Sequence, residues 1–151
     1  MYEALSMSHG ELIHYPDFSR TANSIVSEVT TMLDHLHNLR PEDERSAHGG
    51  LDSRNIAIYP KPTKVGIKKN WTITQPGIMR PIADKSRLYS LIAKDIRDLK
   101  QLIIILKSYN HNINLMIVRE YLNTLDIHYR SGLSGELDRE RNELRAILYE
   151  S

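Results

Sequence analysis

The chain of 151 residues contains no cysteine. Disulfides, thiolate metal sites and cysteine nucleophiles are thereby excluded. Long apolar runs are missing as well: the longest, 102–106, has five residues, against the ~18 needed to cross a bilayer. The opening residues have neither a basic start nor an apolar h-region, and they are not Arg-rich. No secretory signal or transit peptide is expected, which points to the cytoplasm or to a particle assembled there. Neither G-x-x-x-x-G-K nor G-x-G-x-x-G occurs, so a nucleotide enzyme has no support.

The seven histidines include no H-x-x-x-H pair. Asp34 and His37 could face one another across a helical turn, and His48 with the acids of 42–44 could add a nitrogen–oxygen set. Without ligand spacing the plainer reading is solvated surface histidines, so neither metal nor cofactor is expected. His48-Gly49-Gly50 could form an oxyanion loop, but that chemistry needs a G-x-S-x-G elbow. The nearest match, Gly132-Leu133-Ser134-Gly135, is one residue short. No catalytic residue is assigned, and the protein is read as a non-enzyme.

Acid is missing from one stretch. Residues 54–83 carry six bases and no acid, a balance of +6, whereas residues 1–53 carry nine acids and three bases, a balance of −6. The whole chain comes to +1, so the segregation bears on association rather than on fold.

Helical periodicity is abundant. Leu88, Ile92, Ile96, Leu99, Ile103 and Leu106 follow at spacings of four, four, three, four and three. This is one buried stripe of a helix, capped by Asp84, and it reads as the core anchor. Leu91, Leu102, Ile104 and Ile105 widen it until most faces need cover. A stripe through Ala22, Ile25, Val29, Met32 or Leu33, Leu36 and Leu39 predicts another helix. Asp17 or Ser19 would cap it, Pro41 would stop it at Arg40, and Glu28, Asp34, His35 and His37 would form its polar face. Leu115, Val118, Leu122, Leu125 and Tyr129 form a third. A last helix, 136–149, has few large apolar groups and looks peripheral, with a solvated face laced by pairs such as Asp138–Arg141.

Residues 1–15 are too irregular to assign. Between residues 55 and 74 the period changes to two: Ile56/Ile58, Val65/Ile67 and Trp71/Ile73 suggest three short strands on one face, broken at Pro60 and Pro62, with a turn at Lys68-Lys69-Asn70. The expected architecture is one mainly α domain over 1–151. It is an antiparallel helical bundle with a small β-hairpin or three-stranded excursion between its first two long helices (18–40 helix, 41–83 loop and β excursion, 84–150 helical core). The excursion is 43 residues long and poor in bulky apolar groups. Such a segment is uncommon inside a self-contained domain, and a neighbouring chain is the natural cover for it.

The candidate interaction residues are Arg54, Tyr59, Lys61, Lys64, Lys68, Lys69, Trp71 and Arg80. Lysines with interleaved aromatics suit a nucleic acid. They equally suit an acidic protein surface, or a small sheet whose aromatics face the core and whose lysines guard its edge. The expected function is that of a non-catalytic structural or adaptor subunit of a larger assembly, of which a viral or phage particle is one kind. Its partners would be other protein chains or copies of itself, with no membrane. The alternative is a nucleic-acid-binding accessory protein using 54–80.

Overall fold

Four α-helices form where the apolar stripes fall in a computed structural model, which describes residues 3–4 and 18–149. They are α1 (Phe18–Asp34), α2 (Lys85–Lys107), α3 (Met116–His128) and α4 (Gly135–Tyr149). A small three-stranded antiparallel sheet accompanies them. β2 (Ile56–Thr63) and β3 (Gly66–Ile73) make a hairpin between α1 and α2, and β1 (Glu3–Ala4) adds to the far side of β2. Of 1–15, the rest lies outside the described residues, as does Asp17.

Local chemistry sets the helix ends. The Asp84 side chain accepts from the backbone N–H of Ser86 and Arg87, satisfying two of the donors that a helix start leaves open. Ser134 Oγ likewise accepts from Leu137 N–H at the start of α4. α1 begins at Phe18 itself, whose ring meets Tyr109 edge-to-face at 5.3 Å. Ser19 is therefore inside the helix and does not cap it.

Beyond Asp34 the helix widens into one π turn, His35–Leu39, closed by Arg40 N–H on His35 C=O. The wider turn rotates the end of the stripe. His37 and Asn38 are buried beside Leu36, and Leu39 is left 64% exposed. His37 does not belong to a polar face, contrary to its place in the helical pattern. The freed carbonyls are recapped: Ser46 N–H donates to Leu36 C=O, and the Tyr129 hydroxyl donates to His37 C=O at 2.6 Å.

All six anchors of α2 are buried, each worth roughly 1.5–3 kcal/mol of apolar burial. Ile104 remains 47% exposed, so the stripe does not close around the helix. The most extensive helix–helix contact is that of α2 with α4, while α1 lies against α3 and α2. α4 is consequently less peripheral than its few apolar groups suggest. Asp138 does pair with Arg141 at 2.7 Å, but Glu140 and Arg141 are buried. Glu140 meets Arg97 at 3.4 Å and Lys100 at 3.3 Å, and Arg97 also meets Glu136 at 2.8 Å. Burial alone would lower the pKa of Lys100, but Glu143 and Glu140 outweigh it and raise it. Ion pairs, rather than leucines alone, fasten this helix.

Of the two expected forms, the excursion takes the hairpin and not the three strands. β2 pairs with β3 in one unbroken register from Ile56↔Ile73 to Thr63↔Gly66, and the chain turns at Lys64-Val65. Lys68-Lys69-Asn70 lies within β3 and is no turn. Pro60 and Pro62 do not break β2, because residues two apart turn their nitrogens to the same side. β1 pairs only with Ala57 and Ile58, which leaves that side open and needs no proline donor.

Replacing Glu140 with Gln is expected to lower stability by about 2 kcal/mol, because charged hydrogen bonds to Arg97 and Lys100 are lost at a buried position and Lys100 keeps Glu143 alone. Glu143→Gln, at an exposed position, should lower the urea midpoint by less.

Candidate interaction site

The end of the π turn, the loop after it and the middle of α2 meet at one carboxylate. Asp95 sits three residues after Ile92 and four before Leu99, so it shares their buried face, and it is 0% exposed. Its Oδ2 accepts from His37 Nε2 at 3.0 Å and from His48 N–H at 2.8 Å. Its Oδ1 accepts from Gly49 N–H at 2.8 Å. The carboxylate accepts from His37 Nε2, and Nδ1 is hydrogen-bonded to the Tyr121 hydroxyl at 2.7 Å. Burial, reinforced by the charge of Asp95, holds the Tyr121 phenol well above its ordinary pKa. Burial also pushes Tyr129 up to about 12, against the pull of Arg45, which stands 5.4 Å from the centre of its ring.

This cluster corrects the reading of three residues. His37 does not face Asp34, whose carboxylate accepts from Asn38 instead. His48 is buried, and it is no surface ligand. The His48-Gly49 amides do cradle an oxyanion, but the oxyanion belongs to this chain. Asp95–His37–Tyr121 has the order of a proton-relay triad, yet each member is essentially unexposed. A substrate would have no way to it.

The same cluster anchors much of the excursion. Ile78 and Met79 donate backbone N–H bonds to His48 C=O and Ala47 C=O, Ile82 donates to Arg45 C=O, and the Ser46 hydroxyl donates to Arg80 C=O. Arg40 Nη1 reaches Met79 C=O at 2.6 Å. His48 Nδ1 accepts from Gly50 N–H at 3.0 Å, and its ring lies against Gly77, where a Cβ would fall 2.5 Å from the ring. Ser46, Ala47, His48, Leu51, Ile56, Ala57, Ile58 and Ile82 are thus buried against their own chain, while Arg54, residues 74–76, Arg80 and Pro81 stay exposed.

The outer half of the hairpin has no such cover. Residues 60–68 are all exposed, with Val65 at the tip 97% and Ile67 65% accessible. Lys61 and Lys68 are directly opposed across the strands, and among the described residues Lys61, Lys64 and Lys68 form no ion pair. Like charges placed opposite one another destabilise a strand pair.

The candidate residues fall into separate groups. Tyr59, Lys61 and Lys68 share one face, with Tyr59 accepting from Asn70 Nδ2 at 3.0 Å, and Lys64 stands at the turn. Trp71 is on the opposite face, packed against the core, with Nε1 donating to Ser24 Oγ at 3.3 Å. The two aromatics cannot form one stacking platform. Arg54 is paired through two nitrogens with Asp52, whose carboxyl it holds below the usual range. Arg80 is exposed but lies at the base, away from the tip, and Lys69 pairs with Pro60 in the ladder. Residues that sequence reasoning passed over are Asp95, Tyr121 and Val65. An acid on an apolar stripe was the available signal for the first. No protein-family model, curated protein or solved structure matches the chain.

Asp95→Asn places an amide donor against backbone donors and is expected to cost about 3 kcal/mol, read as a lower urea midpoint. Gly77→Ala should cost about 2 kcal/mol through the His48 contact and its φ of +75°. Gly132→Ala, at φ +96° with nothing within 4 Å, should cost only about 1 kcal/mol.

Burial, outweighing Asp95, lowers the His48 pKa below 6.5. The unfolded chain therefore binds the proton first, and stability is full above pH 6.5 and falls as pH drops toward the folded-state value. An NMR titration of His48 should show a midpoint below 6.5, and His48→Asn should flatten the decline in stability over that window.

Proposed function

We propose that this protein is a non-catalytic structural or adaptor subunit, a helical bundle that takes its place in a larger assembly by docking the outer half of the β2–β3 hairpin on another protein. The observation that carries the reading is the division of the excursion. Its base is tied to Asp95 and buried. Its tip presents Val65 and Lys64 at the turn, Ile67 on one face and Lys61 with Lys68 on the other, with no acid in 54–83. Exposed apolar side chains next to unpaired charge of one sign suit a partner that offers apolar groups to the first and acids to the second. A buried relay that no substrate can reach supports a structural role for the polar cluster. A viral or phage particle assembled in the cytoplasm is one setting in which such a subunit would work. Among the described residues, no helix is long and apolar enough to cross a membrane.

A nucleic acid could also neutralise the lysines. That reading is the weaker one, because Tyr59 and Trp71 lie on opposite faces and base stacking on both is impossible.

The protein is expected to self-associate or to co-purify with a partner, and Val65→Asp with Ile67→Asp should abolish this without changing the urea midpoint. A strict monomer at high concentration with no partner overturns the proposal. So does oligonucleotide binding that falls steeply with salt and is lost when Lys61, Lys64 and Lys68 become Glu.

A further inference from the structure

The hairpin carries an unused ladder as well as charge. Opposed pairs in an antiparallel ladder alternate between exchanging both hydrogen bonds and exchanging none. Pro60 and Pro62 have no N–H to give, so Pro60↔Lys69 and Pro62↔Ile67 are the non-exchanging pairs. It follows that Ile67, Lys69, Trp71 and Ile73 turn their N–H and C=O away from β2. Trp71 N–H accordingly bonds to Asn70 Oδ1 at 2.9 Å rather than to β2. β3 is the last strand of the sheet among the described residues. Beside its open edge runs a groove of about 540 Å³ between β3 and α1, floored by Val29, Met32 and Ile73 and flanked by Ser24 and Glu28.

We infer that β3 is completed by an extended segment of an acidic partner protein, added as a further strand along Gly66–Ile73. The inference rests on the adaptor reading and names the partner's chemistry. Strand addition supplies main-chain hydrogen bonds along the edge, while alternate side chains fall on opposite faces. One set enters the groove over Val29 and Met32, where Glu28 disfavours acid, and is apolar. The other set lies beside Lys68, which Lys61 opposes, and is Asp or Glu. The partner segment therefore alternates apolar and acidic residues. A second copy's β3 is a poor occupant, because it would bring Lys68 and its neighbours against their own kind, the arrangement by which sheet edges resist self-pairing.

The test uses the whole protein and an alternating valine–glutamate peptide of roughly eight residues, the length of β3. Amide exchange followed by NMR should show new protection at Ile67, Lys69 and Ile73, with the β2-bonded amides of Lys68, Asn70 and Thr72 unchanged. A valine–lysine peptide, Ile67→Pro and the pair Lys61→Glu/Lys68→Glu should each weaken binding by about tenfold. Absence of edge protection at millimolar peptide overturns the inference, as do equal binding of the lysine peptide and edge protection that grows with protein concentration alone. Loss of a natural partner on Val65→Asp/Ile67→Asp, with the edge amides never protected, would leave the adaptor reading standing and remove strand addition. Salt-sensitive oligonucleotide binding at the same lysines would remove both.

Discussion

A single carboxylate decides where half of this chain can go. The three N–H donors on Asp95 come from the end of the first long helix and from the loop after it, and the acceptor stands on the central helix. Asp95, His37 and His48 are buried, so each depends on the others for its hydrogen bond. The dependence runs outward. His37 positions Tyr121, the His37 carbonyl is capped by Tyr129, and Tyr129 stacks under Arg45 at the start of the loop. Asp95, His37, Tyr121 and Tyr129 each find a partner in it, and a polar network stabilises to the extent that its members are satisfied. It therefore specifies one arrangement of α1, α2, α3 and the loop, where apolar packing alone would tolerate several.

That rigidity shapes the hairpin. Ser46, Ala47, His48 and Leu51 are buried, and the strand of chain that includes Ile78, Met79 and Ile82 is bonded to them along its backbone. The hairpin leaves this platform with Ile56 and Ile58 inward and Trp71 held on Ser24. At roughly 3.3 Å per residue, eight-residue strands reach well past the point where burial ends, after Ile58. An element anchored at one end and bare at the other can meet a partner with little loss of backbone freedom, because its base is already ordered.

The helices were legible because a period of 3.6 shows wherever one face is buried, and α2 repeats it over six residues without a fault. The hairpin was harder. Two prolines read as breaks and Lys68-Lys69-Asn70 as a turn, since sequence alone does not say which way a strand turns its nitrogens. β1 contributes two residues, too few for any period. The π turn was illegible because it changes the phase of the helix after His35, moving His37 from the apparent polar face to the core. The loop looked like a segment in want of foreign cover because bulky apolar groups were counted. Its small and polar residues are buried all the same, with Asp95 and neighbouring carbonyls satisfying their backbone. Asp95 itself was within reach: an acid between Ile92 and Leu99 has to be paired, and only its partners, 58 and 47 residues away, lay beyond local inspection.

The segregation of charge takes on a narrower meaning once the bases are placed. Arg40 and Arg45 serve carbonyls and an aromatic ring, and Arg54 is satisfied by Asp52 next to it. The exposed acid Glu42 reaches only Lys85, at 4.0 Å. Among the described residues, Asp52 with Arg54 pairs the negative block with the positive one, and Lys61, Lys64 and Lys68 form no ion pair. Two of these oppose each other directly, at a cost in stability that nothing among the described residues offsets. Lysines on a bare edge keep a sheet from adding to its own kind, and the same lysines admit a strand of opposite charge. Protection against the wrong partner and attraction toward the right one are then one property of the surface, set by the sign of the charge beside an unpaired ladder.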